Sequence, residues 1–128
     1  ENGHMLKFIH YLNGVGAEAI IPAIEKPPSN FESLESTFHF GLKSEQMVTR
    51  AIYDLVDMAE KEKDRSTYSF LQWFVTEQIE EETLFGTILQ KFEIIGRDKL
   101  AIYQIDQSLA SIRSEIMAKG DSQQPPAN

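Results

Sequence analysis

The chain has 128 residues, enough for one domain that buries about two-thirds of its unfolded surface. Twelve Lys and Arg stand against twenty Asp and Glu, a formal net charge of −8, which withholds the basic footprint that nucleic-acid phosphates require and leaves cations as natural ligands. The absence of Cys excludes disulfides, thiolate zinc sites, iron–sulfur clusters and cysteine nucleophiles and fits a reducing compartment, and no apolar run reaches the roughly 18 residues of a membrane span.

Four segments carry helical periodicity and none carries sustained strand alternation, so an all-α fold is expected. The first residues, Glu1-Asn2-Gly3-His4-Met5, have no initiator Met and no signal-peptide pattern, and the chain reads as starting inside a helix that stops at Gly14. A second helix is predicted from about Leu34 to Lys63 with Ser33 as its N-cap. A third is predicted from about Ser66 to Ile95, capped by Asp64 or Ser66 and ended by Gly96, and a fourth from about Asp98 to Lys119, closed by Gly120. The polar, Pro-containing stretch Asp121–Asn128 is expected to be a disordered tail, which leaves residues 1–120 as the domain.

Connection lengths predict topology. The second and third helices are joined too tightly to be anything but antiparallel neighbours. Val15–Glu32, 18 residues including Pro22, Pro27 and Pro28, can extend about 60 Å, more than the roughly 42 Å of a 28-residue helix. That connection can cross a whole bundle and leave the first and second helices parallel. Three long helices are then one short of a four-helix bundle, so one helix is expected to be missing or supplied from elsewhere.

The helix faces place polar groups where apolar ones belong. The second helix lines up Phe38, Leu42, Glu45, Thr49, Ile52, Val56 and Ala59; the third lines up Leu71, Phe74, Gln78, Glu81, Phe85, Ile88 and Phe92; the first lines up Glu1, His4, Phe8 and Tyr11. These are steps of three and four, the spacing of a bundle core. A carboxylate buried alone costs several kcal/mol, so three such interruptions call for a compensating cation. Glu1 with His4, and Gln78 with Glu81, are i, i+3 pairs able to converge on one point, with Glu45 supplied by the helix between. Three carboxylates, an imidazole and an amide oxygen suit iron or manganese. Gly3-His4-Met5 is also a common remnant of affinity-tag removal, in which case His4 and Glu1 would leave the set; against this, both continue the stripe of Phe8 and Tyr11 in register.

In these segments the chain resembles the bacterial non-haem ferritins. The resemblance rests on Glu1–Phe8 (ENGHMLKF), Ala23–Ser29 (AIEKPPS), Glu45–Arg50 (EQMVTR), Thr67–Val75 (TYSFLQWFV) and Glu77–Glu82 (EQIEEE), and extends to about Leu109. It implies a ferritin-like four-helix bundle with a long B–C crossover and a short fifth helix, the first helix being absent from this chain. It also implies a homo-oligomeric cage of twenty-four subunits in the cytoplasm, with ferroxidase activity, storing iron as a ferric mineral. By the same resemblance Glu1 bridges two irons of a di-iron centre, His4 is the single imidazole ligand, and Glu45 and Glu81 serve the second iron. Gln78 sits beside that iron as a weak neutral partner, and Glu77 and Glu80 belong to an accessory iron site. Ferrous iron and dioxygen or peroxide are the implied reactants, with no nucleic acid and no membrane as partner. Only one Glu-x-x-His occurs, unlike bacterioferritin, rubrerythrin and the oxygenase-type di-iron bundles. A catalytically incomplete cage subunit and a plain helical interaction module remain as alternatives.

The other polar residues have plainer expectations. Glu82 ends a like-charged run and is expected on a solvated face, and His10 and His39 fall off the stripes and are expected at the surface. Trp73 and Phe74 are expected to pack the core, with Trp73 walling the site. The stripe Ile102, Ile105, Leu109, Ile112 and Ile116 is assigned to contacts between subunits.

Overall fold

A computed structural model describes residues 2–121; the candidate ligand Glu1 and tail residues 122–128 lie outside the described residues. The chain forms four α-helices, α1 (Asn2–Gly14), α2 (Leu34–Glu62), α3 (Arg65–Ile95) and α4 (Lys99–Asp121), with no strand among the described residues. The all-α expectation holds, with boundaries shifted by one or two residues. Gly14 and Gly120 lie inside their helices rather than beyond them. The reversal after α1 falls instead at Gly16, whose φ of 80° is open to glycine at no steric cost.

Local chemistry sets the α2 and α3 ends. The Ser33 hydroxyl accepts from the Ser36 amide at 3.0 Å while the Ser36 hydroxyl accepts from the Ser33 amide at 3.0 Å, a reciprocal cap with serine in the place usual for Glu. Lys63 closes α2 at φ 58°, donating its amide to the carbonyls of Ala59 and Glu60. Asp64 follows at once and accepts from the Thr67 amide at 3.0 Å, starting α3. A turn of two residues between helices of 29 and 31 residues folds them back as antiparallel neighbours.

α3 is the shared partner of the other three helices. On α2, Phe38 meets Phe85 and Phe92, and Glu45 meets Gln78. On α1, His4 lies beside Glu77, Phe8 packs on Phe70 and Phe74, and Tyr11 stacks on Phe70 with its hydroxyl 2.8 Å from that of Thr67. Both helices therefore run antiparallel to α3 and parallel to each other, as the length of the connection between them allows. Residues 17–32 hold no helix or strand and are mostly exposed, Ile20 and Ile24 by 83% and 86%.

α4 departs from expectation. Its stripe does not wait for another subunit: Ile105 and Ile112 join Ile88 and Phe92 in the buried core, with Leu84, Ile102, Leu109, Ile116 and Phe38 packed around them. The helix has 23 residues, close to the length its periodicity predicts, and runs antiparallel to α3. Among the described residues α1 reaches the α3 face as far as Glu77, and Leu84, Ile88 and Phe92 are covered by α4. Burying that surface, at about 25 cal/mol per Å², outweighs leaving it to solvent. α1 and α4 thus occupy successive levels of one α3 face.

α2 packs tightly on α3 at Gly41, where an added Cβ would lie 2.3 Å from the Phe85 ring. Gly41→Ala is expected to destabilise the fold by about 1–3 kcal/mol through overpacking. Urea denaturation checks this, and pairing the change with Phe85→Leu should recover much of the loss. Ile105→Lys should release α4 alone: amide hydrogen exchange would speed up across α4 while the α2–α3 centre stays protected.

Candidate metal centre

Gln78 is the one buried polar side chain among the described residues, 3% exposed on the α3 core stripe. Its Nε2 donates toward the Glu45 carboxylate (Oε2, 3.2 Å), the Glu45 backbone carbonyl (3.2 Å) and the Thr49 hydroxyl (3.3 Å). Thr49 lies 2.5 Å from Glu82 Oε1, to which its hydroxyl donates. Glu45, Thr49, Gln78 and Glu82 therefore form one polar cluster across the α2–α3 seam.

Glu82 is the correction here. It is half-buried and turned toward α2 rather than standing on a solvated face. The charge run drew attention away from its spacing: position 82 is i+4 from Gln78 and shares that side of α3.

His4 reaches α3 one turn away. Its Nε2 is 3.5 Å from Glu77 Oε2, with the two side chains 23% and 20% exposed. Its ring meets Trp73 and Phe74 edge-on, at centroid distances of 5.4 and 6.1 Å. Trp73 does wall the imidazole, and it carries the Lys7 ammonium 4.0 Å above its own ring. Glu77, Glu80 and Glu81 line a narrow cleft with Leu84 of α3 and Arg113 and Ile116 of α4. The expected ligands thus fall into a His4–Glu77 pair, the Glu45–Gln78 cluster and the cleft acids. Among the described residues no three His, Asp or Glu side chains converge closely enough to hold a metal ion. The donor types, carboxylate, imidazole and amide, fit iron in kind. His10 and His39 are exposed, as expected.

The resolved shifts in acidity lie away from this centre. Hydrogen bonds from the Arg97 guanidinium hold the Glu35 carboxyl below the usual carboxylate range, with added pull from the charges of Arg97 and His39. The pair ties the first turn of α2 to the α3–α4 turn. The Thr67 hydroxyl, then the Thr67 amide, hold Asp64 low in the same way.

Fold and side chains define a class before any comparison: an α-helical bundle with carboxylates and an amide set into its interior. The model of the ferritin-like domain matches residues 1–95, and the chain belongs to that family. It is 39% identical over 115 residues to a probable bacterial non-heme ferritin-like protein of Haemophilus influenzae, covering 90% of this chain and 70% of that one. It is 41% identical over 111 residues to the bacterial non-heme ferritin of Staphylococcus saprophyticus, covering 87% and 66%. Among solved structures, an open pore ferritin from the hyperthermophilic archaeon Archaeoglobus fulgidus superposes with a TM-score of 0.80 at 40% identity, over 83% of this chain and 65% of that one. The chain spans about two-thirds of the length of these proteins. The family match ends at Ile95, before α4 begins.

Both lowered carboxylates imply one sign of pH dependence. A folded pKa below the unfolded value adds stability that is complete above about pH 5 and is lost as pH falls through the folded pKa. The melting temperature should fall on acidification from about pH 5 to pH 3, and Glu35→Gln should flatten that slope in a thermal scan.

Proposed function

We propose that this chain is an iron-storage subunit whose bundle oxidises ferrous iron at a di-iron centre and passes the ferric product to a mineral inside a cage of its own copies. The observation that carries the reading is the buried Gln78–Glu45 pair, at the mid-bundle level where α1 also brings His4 to α3. A buried amide held on a carboxylate, beside an imidazole and several further acids, is a poor way to build a plain core and a good way to receive a hard cation. Family membership supports the same assignment.

In this reading ferrous ions are substrate. Each gives up one electron to dioxygen or peroxide, and the chain's part is to bind, orient and release. Glu45 and Glu81 take the second iron and Gln78 steadies Glu45 by donating to it. Glu1 and His4 serve the first iron, with Trp73 and Phe74 limiting water around the imidazole. Glu77 and Glu80 form an acidic path beside the centre, in the cleft they share with Glu81. No helix among the described residues is long and apolar enough to cross a membrane; on family membership we assign the protein to the cytoplasm. The residues 1–120 act as the ferritin-like domain.

A second reading, a cage subunit that relies on partners for oxidation, has one observation in its favour: His4 is engaged with Glu77 and the described donors do not converge. One experiment separates the two. In the cage-forming protein, Glu81→Ala should lower the initial rate of ferrous oxidation by roughly tenfold or more while circular dichroism shows unchanged helix content, since it removes a ligand and little packing. Progress curves indistinguishable from the parent would reject the di-iron assignment and leave the structural subunit.

A further inference from the structure

Glu82 belongs to no part of the iron centre outlined above, yet it lies half-buried at the end of a chain of hydrogen bonds that reaches Glu45. We propose that Glu82 is a positioning residue that acts through Thr49 to fix the side-chain amide of Gln78, with its NH2 group on the Glu45 carboxylate.

One proton sets the orientation of the amide. The Thr49 hydroxyl has a single hydrogen and two acceptors in reach, Glu82 Oε1 at 2.5 Å and the Glu45 backbone carbonyl at 3.1 Å. The short bond to an ionised oxygen is the stronger, so the proton goes to Glu82. Thr49 Oγ1 then turns lone pairs toward Gln78, 3.3 Å away, and only an N–H can face it. The other two groups around Nε2 are the Glu45 carboxylate and carbonyl oxygens, both acceptors. A flipped amide would set its own oxygen against three acceptors in a site 3% exposed, where unsatisfied polar groups are costly.

The two arms of this arrangement differ in what disturbs them. A cation that draws on the Glu45 carboxylate weakens its hold on the amide. The Thr49–Glu82 arm does not involve that carboxylate and keeps Nε2 in place. Gln78 therefore remains a donor to Glu45 instead of rotating its oxygen into that position. The orientation of the amide stands without any metal; its consequence for iron rests on the function proposed above.

The test reads the amide directly in metal-free full chain with 15N-labelled glutamine side chains. Thr49→Val and Glu82→Leu should speed solvent exchange of the Gln78 NH2 protons by about fivefold to tenfold, the loss of one net hydrogen bond. They should also weaken the NOEs from those protons to residue 49. Thr49→Ser, which keeps the hydroxyl, should match the parent. If Glu82→Leu does not fold, Glu82→Gln decides, with intermediate acceleration expected. Equal exchange and NOEs in the parent, Thr49→Val and Glu82→Gln would overturn the proposal. A cobalt(II) titration followed by visible absorption then tests the link to the metal. Weaker cobalt binding in Thr49→Val, restored in Thr49→Ser, supports it, and equal binding in all three overturns the link. A parent that binds no cobalt contradicts the iron reading, while the amide exchange still decides the positioning role.

Discussion

A single amide buried in the α2–α3 seam constrains the rest of the fold. Gln78 has to find acceptors inside the bundle, and Glu45 and Thr49 provide them only when α2 and α3 stand at one level. Sliding one helix by a turn would strand the amide among apolar side chains, at about 1–3 kcal/mol for each unmet group. Apolar contacts alone tolerate such slips more easily, since one leucine or phenylalanine can stand in for another. With that register set, Phe38 falls between Phe85 and Phe92, and Gly41 falls opposite the Phe85 ring, where an added Cβ would clash. At the other end the Lys63–Asp64 turn closes at the matching level.

The same α3 face explains why the acids gather where they do. α1 covers it at Phe70, Phe74 and Glu77, and α4 covers it at Leu84, Ile88 and Phe92. Between the two covers lie Glu80 and Glu81, with Glu77 at the edge. Carboxylates tolerate that position because they stay half-exposed in the cleft between successive helices, while the α3 turns on either side carry aromatic or aliphatic side chains. A carboxylate at the level of Ile88 or Phe92, 3% and 1% exposed, would have no such access.

Much of this was legible in the sequence, for identifiable reasons. Ser33, Asp64 and Gly96 mark helix ends because each satisfies a backbone group locally, without help from distant residues. The α2 and α3 stripes are legible because a period of three and four is a local pattern, and every residue placed on them is buried or half-buried. Gln78 stands out as an amide on an otherwise apolar stripe. Glu82 was hidden because its neighbours make a charged run, and its role depends on Thr49, 33 positions earlier in the chain. The docking of α4 was hidden for a different reason. An apolar stripe specifies that something must cover it, but whether the cover is the same chain or another depends on which surfaces remain open after the other helices have packed.

Acidic side chains gather at the α2–α3 seam and the cleft beside it. Glu77, Glu80, Glu81 and Glu82 fall within six residues of one helix, and Glu45 faces them from α2. Among the described residues the guanidinium of Arg113 lines the cleft from α4 and the His4 imidazole lies beside Glu77. Hydrogen bonds from Thr49 and Gln78 settle Glu82 and Glu45 without adding positive charge. Like charges gathered this closely repel, and a fold selected only for stability would gain little by keeping them together. Five carboxylates on facing helices are what the proposed role in receiving a divalent cation calls for.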